Sequence, residues 1–167
     1  MAQTTEFQPS AALTIMKKIL LVDDQPTLVA LMSEFLSSEG YDVTTHTDGL
    51  TALQQMIALR PDLVITDLSM PGMDGGALLT AMRENAYLHE TPVLVLSGRP
   101  EHEMLEACGE RAVLMRKPAN PDEVLKAVRR LTQAAQPPSP ARGGSGRLTA
   151  SFSRLGAASL ERLVQAA

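Results

Sequence analysis

Apolar residues along this chain alternate between two spacings. Short β-branched or Leu-rich runs stand at Ile19 to Val22, Val43 to Thr45, Leu63 to Thr66, Val93 to Leu96 and Ala112 to Met115. Runs of this length suit strands buried on both faces. Longer segments of helical spacing lie between them. Leu28, Leu31, Met32, Phe35 and Leu36 follow one amphipathic stripe, and Val124, Leu125, Val128 and Leu131 repeat it in the last helix. Gly40 stands where the first helix should stop, and Pro61 and Pro92 sit just before strands. The fourth helix, about Glu101 to Cys108, is expected to be short. Five strands alternating with five helices predict an α/β fold, a doubly wound parallel sheet covered on both faces.

The pattern is confined to the middle of the chain. Residues 1–15 show no sustained period and read as a flexible leader, with Met16 as a second candidate start. Residues 16–135 read as the folded domain. QPPSPARGGSG opens a Pro/Gly/Ser-rich linker over 136–148, and 149–167 reads as a tail with a possible short amphipathic helix. From Pro137 onward Arg142, Arg147, Arg154 and Arg162 face only Glu161, a local charge of +3. That segment is too short for an independent DNA-binding domain.

Composition narrows the class. At 167 residues, 44% hydrophobic and 20% charged, the chain can bury a real core. A net charge of −4 argues against a nucleic-acid binder, and no apolar run is long enough to span a membrane. The single Cys108 excludes an internal disulfide and a thiolate metal cluster and fits a reducing compartment. With no secretion signal visible, a cytoplasmic location is expected.

The candidate chemistry gathers at strand ends. Asp23 and Asp24 end the first strand, Asp67 the third, Ser97 the fourth, and Lys117-Pro118 follows the fifth. In a parallel sheet with right-handed crossovers the carboxyl ends of the strands share one mouth. Three carboxylates meeting there would repel one another unless a cation joins them. Oxygen ligands without His or Cys select a hard ion such as Mg²⁺. A lysine and a hydroxyl suit phosphoryl oxygens, and an aspartate can accept a phosphoryl group covalently. Each residue also has an ordinary reading. Asp23 and Asp24 could cap the helix near Pro26, Asp67 could be a turn residue, Ser97 a loop hydroxyl and Lys117 a solvated charge. All of them falling at the ends of different strands favours the chemical reading. Asp74-Gly75 reads as turn chemistry, with Gly72 and Gly75 supplying backbone freedom. His46, His89 and His102 are scattered and read as surface or packing residues.

LLVDD at 20–24, DLVITDLSMPGMDG at 62–75, VLVLSG at 93–98 and LMRKP at 114–118 together resemble the receiver domain of two-component response regulators. The likeness covers roughly seven tenths of the chain and implies a flavodoxin-like sheet in the order 2-1-3-4-5. It implies that Asp67 is phosphorylated by a histidine kinase or a histidine phosphotransfer protein. It further implies that Asp23 or Asp24, Asp67 and the Ser69 carbonyl hold Mg²⁺, that Ser97 and Lys117 contact the phosphoryl group, and that the Lys117–Pro118 bond is cis. The domain would then be a stand-alone switch whose output partner is unknown, with no separate substrate turnover, no direct DNA binding and a homodimer left open. The sequence departs from the family at Leu114, where an aromatic switch residue is usual. Ser69 and Arg99 flank the pocket and are candidates for controlling water access.

Other readings remain at this point. The domain could pass phosphate onward in a relay or serve as an unphosphorylated scaffold. A Mg²⁺-dependent aspartyl phosphohydrolase would want Asp-x-Asp after the first strand, where this chain has Asp23-Asp24-Gln25. A flavodoxin would want a hydroxyl-rich phosphate loop there, which the two acids would repel.

Overall fold

A computed structural model describes residues 16–109 and 112–134. The leader, the linker and the tail read from the sequence lie outside the described residues. Inside them the elements run β1 (Lys18–Val22), α1 (Pro26–Ser38), β2 (Asp42–His46), α2 (Gly49–Leu59), β3 (Leu63–Thr66), α3 (Gly75–Glu84), β4 (Val93–Ser97), α4 (Glu101–Cys108), β5 (Val113–Arg116) and α5 (Pro121–Ala134). The sheet is parallel throughout in the order β2-β1-β3-β4-β5, as expected.

Strand alternation divides the core in two. Leu20, Val22, Val64, Val93 and Val95 face α2, α3 and α4, meeting Leu53, Met56, Leu78, Met82 and Met104. Ile19, Leu21, Leu63, Ile65, Leu94 and Leu96 face α1 and α5, meeting Val29, Leu36, Val124 and Val128. Both faces of β1, β3 and β4 are therefore covered, which is why their sequences read as unbroken apolar runs. Burying each Leu or Ile completely contributes about 1.5–3 kcal/mol.

Two outer strands behave differently from expectation. β2 and β5 are the sheet edges, and their residues are only half-buried or exposed. The stripe on α1 is also corrected. Leu31 is 62% exposed, and the inward line is Val29, Met32 and Leu36, with Phe35 beside it. On α5 the expected stripe holds, with Val124, Leu125 and Val128 buried and Leu131 packed partly against them.

Helix ends follow local chemistry. Asp48 accepts the Thr51 N–H at 2.8 Å and caps α2, and Asp74 accepts the Ala77 N–H at 2.8 Å and caps α3. Asp74 is thus a helix cap as well as a turn residue. Gly40 closes α1 in the left-handed region at φ 89°, its N–H reaching Ser37 O while Tyr41 N–H reaches Leu36 O.

Candidate functional site

The strand ends are tied together before any side chain is considered. Asp23 N–H donates to His46 O at 3.2 Å, Asp67 N–H to Val22 O at 3.0 Å, and Lys117 N–H to Ser97 O at 2.8 Å. Each chemically interesting residue is the first one past its strand, or nearly so, and its own amide is anchored to the strand next door. The parallel ladder therefore delivers Asp23, Asp67 and Lys117 to one mouth.

Lys117 closes that mouth. Its Nζ donates to Asp23 Oδ2 at 2.6 Å and to Asp67 Oδ2 at 2.8 Å. Asp23 and Asp67 are both only 4% exposed. The second oxygen of each acid is also used, because Asp23 Oδ1 accepts Gln25 N–H at 3.0 Å and Asp67 Oδ1 accepts Ser69 N–H at 3.1 Å. Asp23 thus does part of what its ordinary reading asked, holding the turn that enters α1, while the N-cap residue Gln25 makes no side-chain cap. Asp24 is half-buried, and one of its oxygens lies within 4.8 Å of oxygens from Asp23 and Asp67. Three carboxylates so close are an all-oxygen donor set of the kind a hard divalent cation takes. The residues present fit Mg²⁺.

Charge and hydrogen bonding act against burial here. Burial alone would push the Asp67 carboxyl up. Hydrogen bonds from Lys117 and Ser69, with the lysine's charge, outweigh it and hold the group below the usual carboxylate range. The same contest is won at Lys117, where burial would lower the ammonium but its hydrogen bonds to Asp23 and Asp67 hold it above the usual lysine value.

Ser97 is fully buried at the end of β4, and its Oγ accepts Arg99 N–H at 3.4 Å. Ser69 enters the site through its amide and its hydroxyl, with Arg99 Nε donating to Ser69 Oγ at 3.1 Å. Arg99 therefore links the loop after β4 to the loop after β3 across the rim. The Lys117–Pro118 peptide is cis. Leu114 is partly buried against the face made by α2, α3 and α4.

Gly75 carries a correction. Its φ is not positive, so the expected backbone freedom is not what it supplies; Gly72, at φ 75°, does supply it. A Cβ at Gly75 would run into the carbonyl oxygen of Asp67 and the Leu68 backbone. Gly75 is needed because α3 begins in direct contact with the acid's own main chain. Thr66, also unanticipated, is buried and donates its hydroxyl to Asp67 O at 3.0 Å. Nothing in a single sequence marks a threonine at a strand end for that task.

The model of the response regulator receiver domain matches residues 19–129. The chain belongs to the receiver-domain family of two-component response regulators. This receiver domain is 34% identical over 116 residues to sporulation initiation phosphotransferase F of Bacillus subtilis, covering 68% of the chain and 92% of that protein. It is 35% identical over 129 residues to the alkaline phosphatase synthesis transcriptional regulatory protein PhoP of the same organism, covering 74% of the chain. The chain spans 52% of the length of PhoP, about half of that relative. Among solved structures, Vibrio cholerae chemotaxis protein CheY4 superposes with a TM-score of 0.64 at 34% identity, covering 70% of the chain and 98% of CheY4. Among the described residues no helix is long and apolar enough to cross a membrane.

Proposed function

We propose that this receiver domain is a phosphorylation-dependent switch in which Asp67 accepts a phosphoryl group from a histidine kinase or a histidine phosphotransfer protein. In the transfer the P–N bond of a phosphohistidine breaks, a P–O bond to Asp67 forms, and the leaving imidazole regains its ring lone pair. The observation that carries the reading is Asp67, a buried carboxylate at the end of β3 that Lys117 holds at 2.8 Å with two further acids, Asp23 and Asp24, within 4.8 Å. When bound, Mg²⁺ supplies charge neutralisation for the acids and the phosphoryl oxygens. Asp23, Asp24, Asp67 and the Ser69 carbonyl are the groups assigned to it. Lys117 balances charge on the transferred group, and Ser97 supplies a hydroxyl that the phosphoryl oxygens draw inward. Such chemistry needs mainly positioning and charge, which the anchored strand ends provide.

The new aspartyl phosphate adds about −1.5 to −2 charge. Movement of Ser97 then biases the β4–α4 loop between two arrangements and alters what the surface binds. The role is that of a switch in the cytoplasm, without turnover of a separate substrate. The name of phosphotransferase F, a protein this chain covers almost end to end, supports a second reading in which the phosphoryl group is passed onward.

Beryllofluoride, an unreactive mimic of a phosphoryl group, tests the site. With Mg²⁺ present it should bind one equivalent, seen by fluorine NMR, and raise the thermal midpoint. An Asp67→Ala protein should show neither effect, and equal binding by that variant would refute the assignment.

A further inference from the structure

Leu31 is 62% exposed on α1, and it does not stand alone there. By helical spacing Leu28, Leu31 and Phe35 share one side of α1, and Leu28 and Phe35 are only half-buried. Glu39, one turn further on, pairs with Arg129 of α5 at 2.8 Å, so this apolar stripe runs along the seam between α1 and α5. Exposed apolar side chains elsewhere lack such neighbours. Tyr87 stacks with the Arg60 guanidinium, and Leu105 follows His102 and Glu103 and precedes Glu106.

Charge narrows what can cover the stripe. α1 holds no Lys or Arg, and Glu34 is exposed one turn from Leu31. Residues 16–134 hold 11 of the chain's 15 basic residues and 17 of its 19 acids, a net −6, whereas residues 137–167 carry +3. That tail also has Phe152, Leu155, Leu163 and Val164 at loosely helical spacing, with Arg154 and Arg162 among them. A second copy of the chain suits the stripe less well. Packing α1 on α1 brings like charges together, and three side chains fall short of the roughly 800 Å² per partner that a stable dimer buries.

The tail is long enough to arrive. The Arg129–Glu39 pair sets the last turns of α5 beside the end of α1, and α5 stops at Ala134, about 8 Å beyond Arg129. Residues 135–147, Pro-, Gly- and Ser-rich in sequence, reach roughly 20 Å as a coil. The 13 residues of α1 are about 20 Å long. Tethering at that length holds the tail at roughly millimolar effective concentration, so a weak contact suffices.

We propose that the α1–α5 seam at Leu28, Leu31, Glu34 and Phe35 is a docking surface for the chain's own basic, apolar tail, residues 148–164. The apolar residues of the tail cover the stripe, and an arginine meets Glu34.

Timed trypsin digestion of the full chain, followed by mass spectrometry, tests this, because the tail carries its own cleavage sites. Cutting after Arg154 and Arg162 is compared with cutting after Arg142, which precedes the docked residues. A Leu31→Gln/Glu34→Gln variant should speed the two tail cuts about threefold relative to Arg142, because cleavage follows the undocked population. Phe152→Ser/Leu155→Ser, altered on the tail side, should do the same, and Leu105→Gln on α4 should not. The wild-type ratio should stay constant over a tenfold range of protein concentration. Equal ratios in the wild type and both seam variants would overturn the proposal. Protection that grows with protein concentration would overturn it too and would assign the seam to a second copy.

Discussion

At the scale of single residues, the mouth is a set of opposed terms whose balance can be measured. Asp67 has its carboxyl held low in the folded chain by Lys117 and Ser69 against the effect of burial. Its contribution to stability is therefore present above the unfolded carboxylate value of about 4 and is lost as the pH falls through the lower folded value. Lys117, held high, contributes fully below the unfolded lysine value of about 10.4 and loses that contribution only as the pH rises through its higher folded value. Urea denaturation across pH should therefore show that Asp67→Asn shrinks the acid-side loss of stability, whereas the wild type keeps it. Gly75 makes a sharper point. Gly75→Ala drives a methyl into the Asp67 carbonyl, and backbone cannot swing aside as a side chain can. The substitution should cost about 1–3 kcal/mol in urea denaturation and weaken Mg²⁺ binding as well, because relief of the clash moves the acid.

At the scale of elements, the helices show what one sequence can and cannot say. Five strands, their order of appearance and the short α4 were legible because buried parallel strands are continuous apolar runs and the intervening segments keep helical spacing. α1 was partly misread because two neighbouring stripes both fit. Leu31 belongs to the stripe through Leu28 and Phe35 by spacing, yet the helix is rotated so that Val29 and Leu36 take the core. Tertiary packing chose between two faces of nearly equal apolar content. Leu31→Lys should change stability by no more than about 0.5 kcal/mol, whereas Leu36→Ala should cost about 2–5 kcal/mol, both read from denaturant midpoints. The apolar runs alone do not place β2 and β5 at the edges, since strand order is set by crossovers; the resemblance implied that order, and the sheet has it. Asp74 reads as a turn residue in the sequence and Asp48 is not singled out there, yet both cap helices. Asp74→Ala removes the acceptor for Ala77 N–H and should cost about 1 kcal/mol, with α3 the first helix to lose amide protection.

At the scale of the whole molecule, the site was readable because topology does most of the assembly. Asp23, Asp67 and Lys117 lie far apart in sequence, but each follows a strand whose carboxyl end opens on the same side, and the ladder fixes their amides. What the sequence left open were individual contacts. The bond from Arg99 to Ser69 depends on how the loops after β4 and β3 meet, the hydroxyl of Thr66 on the neighbouring Asp67 carbonyl depends on a local side-chain rotamer, and the packing of Leu114 in β5 depends on where the helices lie. The central claim is that this arrangement makes Asp67 the phosphoryl acceptor. Intact mass after incubation with acetyl phosphate and Mg²⁺ tests it most directly, with Asp67→Ala and EDTA controls alongside and a phosphorylated phosphotransfer protein as a second donor. The account predicts one added phosphoryl group on the wild type, absent from Asp67→Ala and absent when EDTA removes the metal. An adduct that survives in Asp67→Ala, or no adduct on the wild type from either donor, would contradict it.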